Sequence, residues 1–369
     1  MIKDVRIKYV NLPLQHQSIQ SELLQAVEKV LKTGDFIQGE EVRLFENRFA
    51  EYCGCKYAVG VANGTDALIL TMKALGIKTG DEVITVPNSF LATASSIALV
   101  RAHPVFVDVR DDLNINPDMI EEAITPRTKA IIPVHLTGRP VDMKPILEIA
   151  EKNGIWVIED AAQAVGAKYH EQRVGSFGIA GCFSLHPLKN LNACGDGGMI
   201  TTDDDGLYEK LLKFRNHGLK SRDECEFWGY NSRLDTIQAA MLNVKLNYLA
   251  KWTEDRRRNA AFYQERLGGI IQVPIDKPFE WAVYHTFVIQ CELRDELQRC
   301  LLDKGIETKI HYPIPIHLQE AARYLGYKSG DFPVAERQAR EILSLPVYPE
   351  LTEEQKEILV TEIRRFLQT

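Results

Sequence analysis

The sequence predicts an α/β fold, with a large domain built on a mostly parallel sheet flanked by helices and a smaller C-terminal α/β domain behind it. Three observations lead there. Short apolar runs alternate with segments of helical periodicity from residue 57 to residue 160. That alternation lapses after residue 170, where two further apolar runs follow one another with no helical pattern between them. And 369 residues exceed what a single hydrophobic core usually supports, so a second, smaller domain is expected.

Taken in order, residues 16–33 carry Ile19, Leu23, Val27, Val30 and Leu31 at helical spacing, stopped by Gly34. A second amphipathic helix over 40–52 turns Val42, Phe45 and Phe49 inward. Then come a strand in "KYAVGV", a helix over 64–75, a strand in "EVITV" and a helix over 91–100. "PVFVDV", a helix over 117–124, "KAIIPVH", a helix over 142–152 and "IWVIED" continue the pattern. Repeated βα units of this kind give parallel strands covered on both faces. "AGCFSL" and "GGMITT" read as two more strands. Residues 233–267 contain no Gly or Pro and read as one long helix, straight or bent. The domains divide as 1–250 and 251–369. The second has strands near 284–291 and 306–311 and closing helices near 333–342 and 352–367.

Bulk properties exclude several classes of function. A formal net charge of −7 and a pI near 5.8 argue against nucleic acid or an anionic membrane as the main partner. Arg256-Arg257-Arg258 follows Glu254 and Asp255 and reads as a solvated helix face. The N-terminus has no apolar signal-like segment and no run is long enough to span a membrane, so a cytoplasmic location is expected. The seven cysteines are scattered, which fits reduced thiols; Cys53-x-Cys55 has no second cluster at zinc spacing, so no metal is expected.

Ligands of such sheets bind beyond the carboxyl ends of the strands. The residues to read are therefore Asn63-Gly64-Thr65, Asn88-Ser89-Phe90, His135 and Asp160. Asp160 ends an apolar strand, where a carboxylate is expensive to bury unless it is paired or used; taken alone it reads first as a capping aspartate. One strand further on, Lys189 stands alone among small, apolar and turn-forming residues in "CFSLHPLKNLNACGDGG". The helix opening at "NGTDAL" follows a strand directly, so its free N–H groups and the Thr65 hydroxyl suit a phosphate, or simply an N-cap by Asn63 or Thr65. An amine, a strand-end carboxylate and a phosphate cradle together fit pyridoxal phosphate: the amine forms a Schiff base, the carboxylate pairs with the ring nitrogen and Phe90 stacks on the ring.

"EDAAQAVGA", "GSFGIAGCFSLHPLKNLNACGDGG", "NGTDAL" and "GYNSRLDTIQAA" resemble the nucleotide-sugar aminotransferases of the DegT/DnrJ/StrS group, which have the aspartate aminotransferase fold (pyridoxal phosphate fold type I). The likeness runs from "GDFIQGEEVRLFENRFAEYCG" to "LPVYPELTEEQ", almost the whole chain. It implies that Lys189 holds the cofactor and shuttles the proton, Asp160 pairs with the pyridine nitrogen and Gln163 bonds the phenolic oxygen. It further implies that Gly64, Thr65, Asp66 and Ser184 hold the phosphate and that Asn231 reaches the cofactor of a partner subunit, in a homodimer with shared sites. Arg233, His311 and Tyr312 are weaker substrate candidates, also readable as a helix-start arginine and a rigid turn. Relatives with histidine in place of the lysine are dehydratases; here His186 lies nearby, but Lys189 keeps the lysine's place, which favours transamination. The resemblance implies L-glutamate as donor and a nucleoside-diphosphate keto-sugar as acceptor. "K-N-L" followed by "G-D-G-G" with Asp196 favours a 3-keto over a 4-keto sugar. A regulatory relative without turnover is disfavoured by the intact Lys189, Asp160, Gln163 and Ser184. A nicotinamide oxidoreductase is disfavoured because no G-x-G-x-x-G follows an early strand.

Overall fold

A computed structural model describes residues 5–368. The N-terminal helices are α1 (Leu12–Gln17), α2 (Gln20–Thr33) and α3 (Glu40–Cys53), so the expected 16–33 helix is preceded by a separate short one. Helix α2 buries Ile19, Leu23 and Val30 but leaves Leu31 exposed, and it ends where Gly34 takes φ +70°, a turn that a side chain would strain. Helix α3 buries Val42, Phe45 and Phe49.

The main sheet follows the expected alternation: β1 (Tyr57–Val61), α4 (Gly64–Ala74), β2 (Glu82–Thr85), α5 (Leu91–Leu99) and β3 (His103–Phe106). A short 3-10 turn and α6 (Ile120–Ala123) precede β4 (Thr128–Ile131), then come α7 (Met143–Asn153), β5 (Trp156–Asp160), β6 (Ala180–Ser184) and β7 (Gly198–Thr202). The seven strands lie in the order β1-β7-β6-β5-β4-β2-β3. The pairs β3-β2, β2-β4, β4-β5 and β5-β6 are parallel. Strand β7 is antiparallel to both β6 and β1.

That one reversed strand decides where the chemistry can sit. These two consecutive strands are antiparallel neighbours, so their connection stays at one end of the sheet. The connection from β6 to β7 therefore leaves the carboxyl end of β6, beside the carboxyl end of β5, where Asp160 pairs in register with Cys182. It is tied down at both ends: Leu185 N–H donates to Gly197 O (2.8 Å) and Ala193 N–H donates to Leu185 O (2.7 Å). Close packing supports the same edge. A Cβ on Gly198 would lie 2.3 Å from the Asn63 carbonyl oxygen, so only glycine lets β7 start directly beneath the entrance to α4.

Beyond α8 (Asp205–Phe214), the expected long helix is two, α9 (Thr236–Leu246) and α10 (Leu249–Leu267), bent at Asn247 and Tyr248, whose dihedrals remain close to helical. In the C-terminal part, β8 (Phe287–Gln290) is followed by α11 (Arg294–Asp303), α12 (Pro333–Glu341), β9 (Ile342–Leu345) and α13 (Glu353–Leu367). The strand expected at 306–311 is a correction: Ile306 and Lys309 form isolated bridges only, and the partner of β8 is β9, antiparallel to it. Residues Tyr263, Phe287, Leu297, Leu343, Leu359 and Ile363 form a separate buried cluster for this part.

Candidate active site

Asp160, at the end of β5, is buried. Its Oδ2 accepts from the Thr93 hydroxyl at 2.7 Å and its Oδ1 from the Ala162 N–H at 3.1 Å. Burial raises its pKa, while these two donors and the charge of Lys189 pull it back. The adjacent Glu159 is fully buried for a different purpose. It accepts the N–H groups of Gly175, Phe177 and Gly178 at 2.6, 2.7 and 2.9 Å and lies 3.0 Å from His135 Nε2. Val141 N–H donates to His135 Nδ1, so Nε2 carries the proton that Glu159 accepts. Glu159 thus fastens the backbone of the 175–178 turn, leaving Asp160 to face the site.

Lys189 lies in the tethered connection. Lys189 is half-buried, and the loss of water around its amino group lowers its pKa to about 8, with the Asp160 charge acting in the opposite direction. The two groups feel each other, yet among the described residues no ion pair within 4 Å joins them. The lysine and the aspartate therefore face one strand-end region with a gap between them.

Around that gap the other candidates are placed as follows. Gly64 opens α4 against Ser184: a Cβ there would lie 2.8 Å from Ser184 Cβ, so the helix entrance and the end of β6 meet as closely as the backbone allows. Asn63 caps α4, its Oδ1 accepting from Asp66 N–H at 2.8 Å. The Gly64 and Thr65 N–H groups have no acceptor among the described residues and remain available to an anion. Asp66 departs from the expectation, because its N–H serves Asn63 and its carboxylate accepts from the Ser232 hydroxyl at 2.6 Å. Gln163 accepts from Thr137 N–H (2.8 Å) through Oε1, which orients Nε2 toward the Tyr312 hydroxyl at 3.3 Å and leaves one of its protons free. Phe90, at the start of α5, is 52% exposed with its ring centroid 5.6 Å from that of Tyr312. His311 pairs through Nδ1 with Ser344 Oγ at 2.9 Å, and burial with the neighbouring Lys189 and Lys309 charges lowers its pKa to about 4.

Asn231 and Arg233 are not drawn into this group. Asn231 is exposed and bridges Asn216, and Arg233 donates to Asn216 Oδ1 at 3.0 Å. Sequence reasoning also missed residues that the site uses. Thr93 lies nearly one helical turn beyond Phe90, a position readable only once α5 is known to enter beside β5. His285 comes from the C-terminal part, its Nδ1 3.3 Å from Asn190 Oδ1. Its pKa falls well below the ordinary value, mainly through burial and then through the Lys189 charge.

A cradle of free amides, a buried carboxylate with two donors and a depressed lysine suit a phosphorylated, cationic-ring aldehyde, and they define a fold type I pyridoxal phosphate enzyme. The chain belongs to the DegT/DnrJ/EryC1/StrS aminotransferase family, whose pattern it matches over residues 17–364. It is 45% identical to a UDP-N-acetyl-3-dehydro-α-D-glucosamine 3-aminotransferase of Acidithiobacillus ferrooxidans, over the full length of both chains. It is also 45% identical to a pleiotropic regulatory protein of Geobacillus stearothermophilus, over 98% of this chain and 99% of that one. Among solved structures it superposes on Streptomyces venezuelae DesV in complex with a ketimine intermediate, with a TM-score of 0.97, 39% identity and 99% of each chain covered. It likewise matches NtdA of Bacillus subtilis with bound pyridoxamine phosphate, with a TM-score of 0.90, 32% identity and coverage of 95% of this chain and 82% of that one. The protein is a pyridoxal phosphate-dependent sugar aminotransferase. Among the described residues no helix is long and apolar enough to cross a membrane, and no three His, Cys, Asp or Glu side chains are grouped to hold a metal ion.

Proposed function

We propose that this enzyme moves an amino group from L-glutamate to the 3-keto carbon of a nucleoside-diphosphate sugar, with Lys189 and Asp160 as its catalytic residues. The observation that carries the reading is the pair itself: a depressed amine on the connection that leaves β6 and a buried carboxylate at the end of the neighbouring β5, each acting on the other's pKa. The 3-keto preference is supported by Asp196 in "GDGG" and by the named activity of the Acidithiobacillus relative.

Pyridoxal phosphate, when bound, supplies an aldehyde that takes up the amino group and a ring that withdraws electrons from the carbon losing its proton. Lys189 is suited to hold and return that proton at Nζ: with a pKa of about 8, about one amine in ten is unprotonated at pH 7, against fewer than about one in a thousand for an ordinary lysine. Asp160 faces the ring nitrogen as the acceptor that keeps a proton there. Thr93 and the Ala162 N–H favour its ionised form. Gly64, Thr65 and Ser184 receive the phosphate, Phe90 covers one face of the ring, and the free Gln163 proton is directed at the phenolic oxygen. His311 and Tyr312 border the space left for the sugar. Arg233 stays a candidate substrate contact, and Asn231, exposed away from Lys189, is suited to complete the phosphate cradle of a second subunit in a homodimer. The seven thiols are all free, which supports a reducing, cytoplasmic setting.

The test is a visible absorption spectrum followed by a panel of UDP-, dTDP- and GDP-linked 3-keto and 4-keto sugars. The purified protein should be yellow, glutamate should bleach it, and a 3-keto sugar should restore the colour. Lys189→Ala should purify folded, lack the visible band and turn nothing over. An active Lys189→Ala protein, or bleaching reversed only by 4-keto sugars, sinks the corresponding half of the reading.

A further inference from the structure

Lys245, on α9, is completely buried, and none of its hydrogen-bond partners is a carboxylate. Its ammonium donates to the Asn192 carbonyl oxygen at 2.9 Å and to Asn192 Oδ1 at 2.5 Å, and it meets His16 Nε2 at 3.0 Å and Cys194 Sγ at 3.6 Å. A buried cation with only neutral acceptors is costly, and burial lowers its pKa accordingly. Nothing in the transfer chemistry above uses it.

Asn192 lies three residues beyond Lys189 and is itself buried. Its Nδ2 donates to the Lys189 carbonyl oxygen at 3.1 Å and to Gln15 Oε1 at 3.2 Å. A carboxamide can be turned over at little cost, exchanging its oxygen and its nitrogen. An ammonium can only donate, so it admits one orientation: Oδ1 toward Lys245 and both N–H bonds toward Lys189 O and Gln15.

We propose that Lys245 is a positioning residue for the active-site lysine, acting through Asn192, whose carboxamide it orients so that one amide proton grips the Lys189 backbone and the other is anchored on Gln15. The inference rests on Lys189 being the residue that captures the cofactor. A displacement of about 1 Å in a reacting group can cost on the order of a hundredfold in rate, so a grip on the backbone of this residue has a kinetic consequence.

The experiment follows the rate at which cofactor-free protein captures pyridoxal phosphate, by the growth of the visible band at pH 8, alongside kcat, KM for glutamate and the melting temperature. Lys245→Met should slow capture and lower kcat by about tenfold or more, with KM changed by less than about twofold. Asn192→Leu should match it, and the double variant should be no slower than either single one, because both changes break the same link. Gly34→Ala, at the end of α2, supplies a destabilised control whose capture rate should stay at the parent value. Should Lys245→Met fail to fold, Asn192→Asp keeps an acceptor for Lys245 while removing the proton that holds Lys189, and it should slow capture as much. Parental capture by Lys245→Met or Asn192→Asp, or losses that multiply in the double variant, overturns the proposal. Lys189→Ala separates the two readings: if it still develops the band, the assignment of Lys189 fails whatever Lys245 does.

Discussion

A carboxyl group with the surroundings of Asp160 is pulled in two directions. Burial favours the neutral acid, whereas the Thr93 hydroxyl, the Ala162 N–H and the Lys189 charge favour the anion. Thr93→Val keeps the shape and removes one donor to the charged form, so the pKa of Asp160 should rise further. The acid limb of the kcat/KM profile should then move to higher pH, and activity at pH 7 should fall by about tenfold, a loss on the scale of one hydrogen bond to a charge. An unmoved acid limb would show that Thr93 only fills space. Lys189 gives a prediction of the same kind. Its amine reacts when unprotonated, so capture of the cofactor by the empty protein should fall about tenfold for each pH unit below about 8 and level off above it. A profile flat from pH 6 to 9 would contradict the depressed amine. Lys189 was legible in the sequence because a lone amine among turn residues breaks the local pattern, and Asp160 because it ends an apolar strand. Thr93, His285 and Asn192 were not: each is an ordinary polar residue whose meaning comes from what a distant segment brings beside it.

At the scale of elements, periodicity located nearly every helix and strand of the main sheet, since each buries one face or both against neighbours of known kind. It failed where pairing rather than pattern decides. The 306–311 segment has strand-like composition but forms only isolated bridges, at Ile306 and Lys309, while the shorter Ile342–Leu345 run finds a full antiparallel partner. The sequence allowed for a bend in the long helix but did not place it at Asn247–Tyr248, because no Gly or Pro marks it. The tight seam between β7 and α4 yields a prediction here. Gly198→Ala drives a methyl group into the Asn63 carbonyl oxygen, and neither backbone can yield without moving the helix entrance. It should cost about 3 kcal/mol, read from a lowered urea midpoint, and should weaken cofactor retention at the same time. A midpoint within error of the parent would mean that the seam is looser than it looks.

For the whole molecule, the question is whether one chain suffices. Trp228 and Tyr230, on the segment that carries Asn231, are 91% and 40% exposed, an unusual display of aromatic surface beside a residue matched to cofactor binding. If two copies share their sites, Lys189→Ala and Asn231→Ala chains, each inactive alone, should complement one another. Unfolded together and refolded at equal amounts, they should recover about a quarter of parental activity, because half the dimers are mixed and each mixed dimer has one intact site. No recovery would place Asn231 in its own chain's site or outside any site. Within each chain, the stretch bearing Lys189 is clasped where it departs and where it returns, at Leu185. The backbone there is a fixed gantry, and the nitrogen reaches its successive targets by rotation about the lysine's own single bonds. The arm's travel is thus set by side-chain torsions, with the main chain beneath it held in place.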